Sequence, residues 1–124
     1  MKLIVVRHGL SCGNLMYHKD INLAPLNALY RDPFLTDIGT KQSQRCGVYV
    51  REKLNLKSTV IISSALIRSI ETALHMFPDV PVHIAPYIAE TCKTFENISH
   101  TIEDQLHRLQ TQGKRCKFPK TNHG

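Results

Sequence analysis

Three adjacent residues near the start of the sequence, Arg7, His8 and Gly9, have the side-chain types that chemistry at a phosphate group needs. A neutral imidazole can attack phosphorus when it is held in line with the leaving group. The reaction also needs cations that hold the anionic oxygens, and a guanidinium presents a planar pair of donors. Gly9 would let a phosphate approach the backbone closely. A triplet this short occurs by chance, so the hypothesis depends on the residues that follow.

Two further blocks follow the triplet in a fixed order. The block that begins with the triplet itself extends through Ser11 and Asn14, which gives R-H-G-x-S-x-x-N. D-P-F-L-T-D-I-G-T-K-Q then spans 32–42, and S-S-A-L-I-R-S-I-E-T-A spans 63–73. Arg68 falls in the first turn of a predicted helix, where the positive end of the helix dipole favours an anion. The guanidinium of Arg68 would complete a phosphate clamp together with the guanidinium of Arg7.

In order and spacing, the three blocks resemble the histidine phosphatase (phosphoglycerate mutase-like) superfamily. Its members share an R-H-G strand end followed by L-T-x-x-G-x-x-Q and S-x-L-x-R-x-x-x-T-A helix starts. The resemblance implies an α/β three-layer sandwich, with a mostly parallel central sheet flanked by helices. It also implies a phosphomonoesterase that needs no metal or cofactor and forms a phosphohistidine at His8. Arg7, Asn14 and Arg68 would bind the phosphate, and Glu90 would protonate the leaving-group oxygen.

The acid and the second histidine of the implied site have alternatives. Glu96 lies in the same loop as Glu90, and a carboxylic acid serves as a proton donor only where its surroundings favour the protonated form. The family normally adds a final strand that ends in a second histidine, commonly followed by glycine. His123-Gly124 has that form, but the preceding residues are basic and include Pro119, unlike a buried strand. We therefore expect a chain shortened relative to the family, with His123 as the remaining candidate.

The sequence leaves several functions open. The first is a phosphatase that acts on a phosphorylated small molecule or a phosphoprotein. The second is a non-catalytic remnant that binds phosphate or an anionic partner. Mutase activity is disfavoured because the run 90–94 lacks the arginine and the Tyr-Gly pair of the mutases' E-R-x-Y-G segment. Nucleic-acid binding rests on the net charge of +6 alone, and the tail has a single aromatic residue, Phe118, among its basic residues.

The elements that must position these residues follow from apolar periodicity and breakers. Alternating strands and helices predict an α/β layered domain with parallel neighbours, whose strand ends share one rim. The predicted strands are Lys2–Val6, Thr59–Ile62 and Val82–Ile84. The predicted helices are one from Thr36 or Asp37 to about Leu54, one capped by Ser63-Ser64 that ends at Pro78, and one over Ile98–Leu109. The apolar face predicted for the first helix comprises Ile38, Cys46, Val50 and Leu54.

Length and composition set the outer limits. A chain of 124 residues with 42% hydrophobic and 21% charged residues predicts one globular domain, here 1–112, followed by a basic, disordered tail over 113–124. The apolar run 3–6 is too short for a signal peptide or a transmembrane helix, which predicts a cytoplasmic protein without a membrane partner. The four cysteines form no C-x-x-C pair and are expected to be free thiols. The sequence does not specify the oligomeric state.

Overall fold

The computed structural model describes residues 3–12, 14, 31–55, 60–88 and 97–111. Over these residues, helices and short strands follow one another along the chain. The elements are helix α1 (Asp37–Val48), a π-helical turn (Tyr49–Lys53), strand β1 (Ile61–Ser63), helix α2 (Ile67–Met76), strand β2 (Val82–Ile84) and helix α3 (Ile102–Thr111). This order confirms the predicted α/β class.

Strands β1 and β2 form a parallel pair, in which Ile61 lies opposite Val82 and Ser63 opposite Ile84. Strand β2 has the predicted bounds, because β-branched residues follow Pro81 and give a short extended segment. Strand β1 ends one residue later than predicted. Within the described part of the chain the sheet has these two strands.

The run 3–6 is not a strand, so the prediction of a buried first strand is wrong. Its apolar side chains are between 43% and 87% exposed. A strand exists only through hydrogen bonds to a neighbour, and no described residue pairs with this run. Backbone pairing near this end of the chain begins later, with an antiparallel bridge between Ser11 and Leu35.

Helix α1 begins as predicted, but it packs through a different face. The hydroxyl of Thr36 caps the helix by accepting a hydrogen bond from the N–H of Gly39 at 2.9 Å. Ile38 is 62% exposed and Leu54 47% exposed, so the predicted apolar face is wrong at these two positions, whereas Cys46 is half-buried and Val50, in the π-helical turn, is buried. The remaining buried positions in the helix are the small residues Gly39, Ser43 and Gly47.

Small residues line this face because α1 lies against backbone. A Cβ added at Gly47 would be 2.4 Å from the carbonyl oxygen of Met76, at the end of α2. Glycine therefore allows the two helix backbones to approach more closely than any larger side chain would. Close backbone contact, and not apolar periodicity, selects the face that α1 buries.

The start of α2 is not capped by Ser63 or Ser64, contrary to the prediction. The carboxylate of Asp32 accepts a hydrogen bond from the N–H of Ile67 at 2.7 Å, and thus replaces a local cap. The Ser63 hydroxyl instead donates to the carbonyl of Ser64. Asp32 is fully buried and has a positive φ of 50°, which aspartate tolerates better than most residues.

Helix α3 begins four residues later than predicted and buries a polar residue. Gln105 is 3% exposed, whereas the apolar side chains of Ile102 and Leu106 on the same helix are about half exposed. The Gln105 amide donates to the Asp32 carboxylate at 2.7 Å and to the carbonyl of Ala65, also at 2.7 Å. Polar contacts to the buried carboxylate therefore determine which face of α3 turns inward.

The cysteines differ from one another. Cys12 is disulfide-bonded, so the prediction of a free thiol is wrong there, while Cys46 is free as predicted. The second cysteine of that disulfide lies outside the described residues. Pairing depends on which cysteines the fold brings together, and sequence spacing alone does not show this.

Two other expectations concern the ends of the chain and the membrane. The predicted disordered tail, 113–124, lies outside the described residues and stays a prediction. No helix in the described ranges is long and apolar enough to cross a bilayer.

Candidate functional site

The loop that follows His8 is held in place by helices α1 and α2. The N–H of Gly9 donates to the Thr72 hydroxyl on α2 at 3.1 Å, and the N–H of Leu10 donates to the Gln42 side-chain oxygen on α1 at 3.0 Å. A Cβ added at Gly9 would be 2.5 Å from the carbonyl oxygen of Gly39. The loop backbone thus lies directly on α1, and it needs glycine on both sides of this contact.

Residues 34–36 hold the next part of the same loop. The N–H of Thr36 donates to the carbonyl of Leu10 at 2.8 Å, and the N–H of Cys12 donates to the carbonyl of Phe34 at 2.7 Å. The Thr36 hydroxyl also donates to the Leu10 carbonyl, at 3.0 Å. The backbone that follows the histidine is therefore fixed from two directions.

The imidazole of His8 has contacts at both ring nitrogens. Its Nδ1 lies 2.6 Å from the carbonyl oxygen of Gly9, which can only accept a hydrogen bond, so Nδ1 carries the proton. Its Nε2 lies 3.3 Å from Nε of Arg68, which can only donate. Both contacts agree on a neutral ring whose Nε2 lone pair points toward a cation. This is the tautomer required of a nitrogen nucleophile.

Arg68, in the first turn of α2, is buried beside that lone pair. Its side chain is 5% exposed, and its Nη2 donates to the side-chain oxygen of Asn97 at 2.7 Å. The Thr72 hydroxyl, which accepts from Gly9, donates to the Arg68 carbonyl at 2.7 Å. The histidine loop and the arginine are thus joined through one threonine.

Arg7 has a different environment from Arg68. It is exposed, and it lines two adjoining cavities of about 300 Å³ and 140 Å³, both of which also contain His8. The structure therefore brings Arg7 and Arg68 to the same histidine, one at the open side and one in the interior.

Asn14 lines the larger cavity and is fixed by a local pair of hydrogen bonds. The buried Ser11 hydroxyl donates to the Asn14 side-chain oxygen at 2.9 Å and accepts from the Asn14 backbone N–H at 3.0 Å. Since the amide oxygen is occupied, its NH₂ group is the part of Asn14 that can donate to an anion. This pair of hydrogen bonds explains why the motif has a serine at position 11.

Three predicted or alternative site residues, Glu90, Glu96 and His123, lie outside the described residues. Their roles as acid and second histidine stay predictions. Among the residues that the structure does describe, no three His, Cys, Asp or Glu side chains form a cluster that could hold a metal ion.

Asp32 supports the site from behind, and the sequence did not indicate it. Besides capping α2, its carboxylate accepts from the N–H of His100 at 3.0 Å and from Gln105. Its carbonyl accepts from Nη1 of Arg108 at 2.9 Å. One buried residue therefore connects the helix that carries Arg68 with the segment 97–108.

Burial and neighbouring charges shift the pKa values of two side chains around Asp32, those of His100 and Arg108. Burial lowers the pKa of His100, and the nearby positive charges of Arg108 and Arg31 lower it further, while Asp32 opposes them. Burial also lowers the pKa of Arg108, and Asp32 again acts in the opposite direction. The Arg108 guanidinium lies 4.2 Å from the centre of the Phe34 ring, so the cation also has an aromatic contact.

The sequence profile of the histidine phosphatase superfamily (branch 1) matches residues 3–123, nearly the whole chain. The chain belongs to the histidine phosphatase superfamily. The match extends beyond residue 90, where the recognisable motifs end. No curated protein matches this histidine phosphatase chain.

Two solved structures share the histidine phosphatase fold with this chain. One is a candidate alpha-ribazole-5'-P phosphatase from Escherichia coli, with 24% identity and a TM-score of 0.50 over 65% of this chain and 36% of that one. The other is a phosphoserine phosphatase from Entamoeba histolytica in complex with 3-phosphoglyceric acid, with 23% identity and a TM-score of 0.51 over 86% and 46%. The chain thus spans less than half the length of either protein.

Proposed function

We propose that this histidine phosphatase chain is a phosphomonoesterase that works through a phosphohistidine at His8. The observation that carries the proposal is the pair of contacts at the imidazole, Nδ1 to the Gly9 carbonyl and Nε2 to Arg68. A ring held neutral, with its Nε2 lone pair beside a guanidinium, is arranged to receive a phosphoryl group. The proteins of similar fold are described as phosphatases, which supports the same class.

The proposed reaction has two steps. His8 Nε2 attacks phosphorus, the bond to the ester oxygen breaks, and an acid protonates that oxygen as the alcohol leaves; we assign this acid to Glu90. Water then gives a proton to the carboxylate left on Glu90 as its oxygen attacks phosphorus and the P–N bond breaks, which releases phosphate, the neutral imidazole and the reprotonated acid. Arg7, Arg68 and Asn14 would hold the phosphate oxygens in both steps.

Arginine and asparagine provide the cations and donors that this scheme requires, so we propose that no metal or cofactor takes part. We propose a phosphorylated small molecule or a phosphoprotein as substrate. The cytoplasmic location stays a prediction.

The proposal is tested with an aryl phosphate in the presence of a chelator. The wild-type protein should hydrolyse it, and the His8→Ala variant should not. The matched control is His83→Ala, which removes an exposed histidine on β2 and should leave the rate unchanged. Activity that survives His8→Ala, or that requires an added divalent metal, would contradict the phosphohistidine mechanism.

A trapping experiment separates the enzyme from a non-catalytic phosphate binder. A radiolabelled phosphate ester should leave label on the wild-type protein after a quench in base, and none on His8→Ala. Arg7→Ala and Arg68→Ala should each cost about 2–4 kcal/mol in transition-state binding, as expected for preorganised donors. Phosphate binding without any labelled protein would favour the non-catalytic alternative.

A further inference from the structure

We propose that Asn97 is a positioning residue of the phosphate site, which holds the guanidinium of Arg68 in the orientation that faces His8. The inference rests on the proposed function in one respect, that Arg68 is a ligand of the phosphoryl group. It extends that function to a residue that belongs to none of the sequence motifs.

The geometry of the guanidinium supports this role. Nη2 of Arg68 donates to the Asn97 side-chain oxygen at 2.7 Å, and Nε faces Nε2 of His8 at 3.3 Å. The group is planar and rigid, so a strong hydrogen bond at one nitrogen also sets the direction of the others. Without the acceptor at Asn97, the plane of Arg68 would be defined less well where it meets the imidazole.

Asn97 itself is held by the residues that follow it. The carbonyl of Ser99 accepts from Nη2 of Arg31 at 2.7 Å, and the N–H of His100 donates to the Asp32 carboxylate at 3.0 Å. The same carboxylate caps α2, one residue before Arg68. The segment that carries the acceptor and the helix that carries the guanidinium therefore both bond to one buried carboxylate, which favours a fixed geometry for the pair.

The chemical type of Asn97 also fits the role. An amide oxygen accepts a hydrogen bond from Arg68 without bringing a negative charge close to an anion site. A carboxylate at this place would hold the guanidinium too, but it would neutralise part of its charge and repel phosphate. A positioning residue beside an oxyanion is thus better neutral than acidic.

The test measures vanadate binding by calorimetry in a double-mutant cycle. Asn97→Ala should weaken vanadate binding by roughly tenfold, the loss expected for a hydrogen bond to a charged group. In the Arg68→Ala background the same change should have almost no further effect, since Asn97 acts only through Arg68. The matched control is Ser99→Ala, in the same segment, where the described contact uses the backbone; vanadate binding should stay within about twofold of wild type.

A second variant keeps the inference open to refutation if Asn97→Ala fails to fold. Asn97→Asp retains an acceptor for Arg68, so it should fold, yet bind vanadate more weakly than wild type, with a deficit that shrinks as salt is added. Equal losses from Asn97→Ala with and without Arg68 would overturn the inference. Unchanged binding in Asn97→Ala, or in Asn97→Asp, would overturn it as well.

The outcome for Asn97 is separable from that for the proposed function. If wild-type protein binds vanadate but never carries a labelled phosphoryl group, the proposed enzyme activity fails, while the cycle still decides the role of Asn97. If the protein is labelled at His8 but the cycle shows no coupling, only the inference about Asn97 fails. A wild-type protein that does not bind vanadate contradicts both.

Discussion

Residues 3–6 and residues 9–12 lie on either side of Arg7 and His8, but their environments in the structure differ. The run 9–12 is hydrogen-bonded to α1, to α2 and to residues 34–36. The run 3–6 has apolar side chains that are 43–87% exposed, without backbone pairing to any described residue. The catalytic candidate is therefore placed by helices packed against the loop that follows it, and not by the segment that precedes it.

The largest effect on stability should come from replacing Asp32, the buried residue that joins α2 to the segment 97–108. Asp32→Ala removes the acceptor of the Ile67 and His100 N–H groups, one of the two acceptors of the Gln105 amide, and the carboxylate that forms an ion pair with Arg108 at 3.9 Å. We expect the free energy of unfolding in urea to fall by roughly 3–5 kcal/mol. Asp79→Ala, at an exposed aspartate, is the control and should change it by less than about 0.5 kcal/mol. Similar losses for both variants would show that the hydrogen bonds of Asp32 do not stabilise the fold.

A smaller effect should follow from disturbing the contact between α1 and the loop. A Cβ at Gly39 would lie 2.2 Å from the carbonyl oxygen of Leu10, so Gly39→Ala must push the loop away. We expect a loss of about 1–3 kcal/mol in unfolding free energy, together with weaker vanadate binding.

The neighbouring Thr40→Ala is the control for that change. It removes a buried hydroxyl that has no hydrogen-bond partner among the described residues, and it should be neutral or stabilising. If Gly39→Ala binds vanadate as wild type does, the loop position does not depend on the glycine.

The stability of the folded protein should also depend on pH through His100, whose N–H donates to Asp32. Its pKa is lowered in the folded protein, by burial first and then by Arg108, so protonation favours the unfolded chain. Its contribution to stability is complete above the ordinary pKa of about 6.5 and is lost as the pH falls below it. Urea titrations of wild type and His100→Gln should therefore diverge below that pH, with the wild type losing more stability. A wild type that gains stability relative to the variant at low pH would reverse the sign of the shift.

The smallest effect on stability should come from a substitution in the run 3–6. Val5 is 87% exposed, so Val5→Ser should change the free energy of unfolding by less than about 0.5 kcal/mol. Ile67→Ala, at a fully buried position, provides the contrast, with an expected loss of about 2–5 kcal/mol. A loss above 1 kcal/mol in Val5→Ser would mean that the run 3–6 is packed.

The sequence predicted best what depends on neighbouring residues. Strand β2, the Thr36 cap and the place of Arg68 at the start of α2 follow from local chemistry, and the structure has them there. The run 3–6 has equally strong strand signals, but a strand needs a partner, which local chemistry does not supply.

The parts of the site that the sequence missed depend on contacts between distant residues. Asn97 contacts Arg68 across 29 residues, and Asp32 caps a helix 35 residues away. No periodicity connects such pairs, because each depends on the packing of the whole domain. A buried polar residue such as Gln105 is likewise read as surface until its acceptor is known.

The cap of α2 by Asp32 has a consequence for how the chain folds during synthesis. The ribosome releases Asp32 well before Ile67, and Gln105 and Arg108 emerge last of the described partners of this residue. Until then the carboxylate has to stay hydrated, since burying it without donors is costly. Closure of the interior around Arg68 is therefore expected only after Gln105 and Arg108 have been synthesised. A nascent chain halted near residue 90 would expose the histidine loop in an unfinished form.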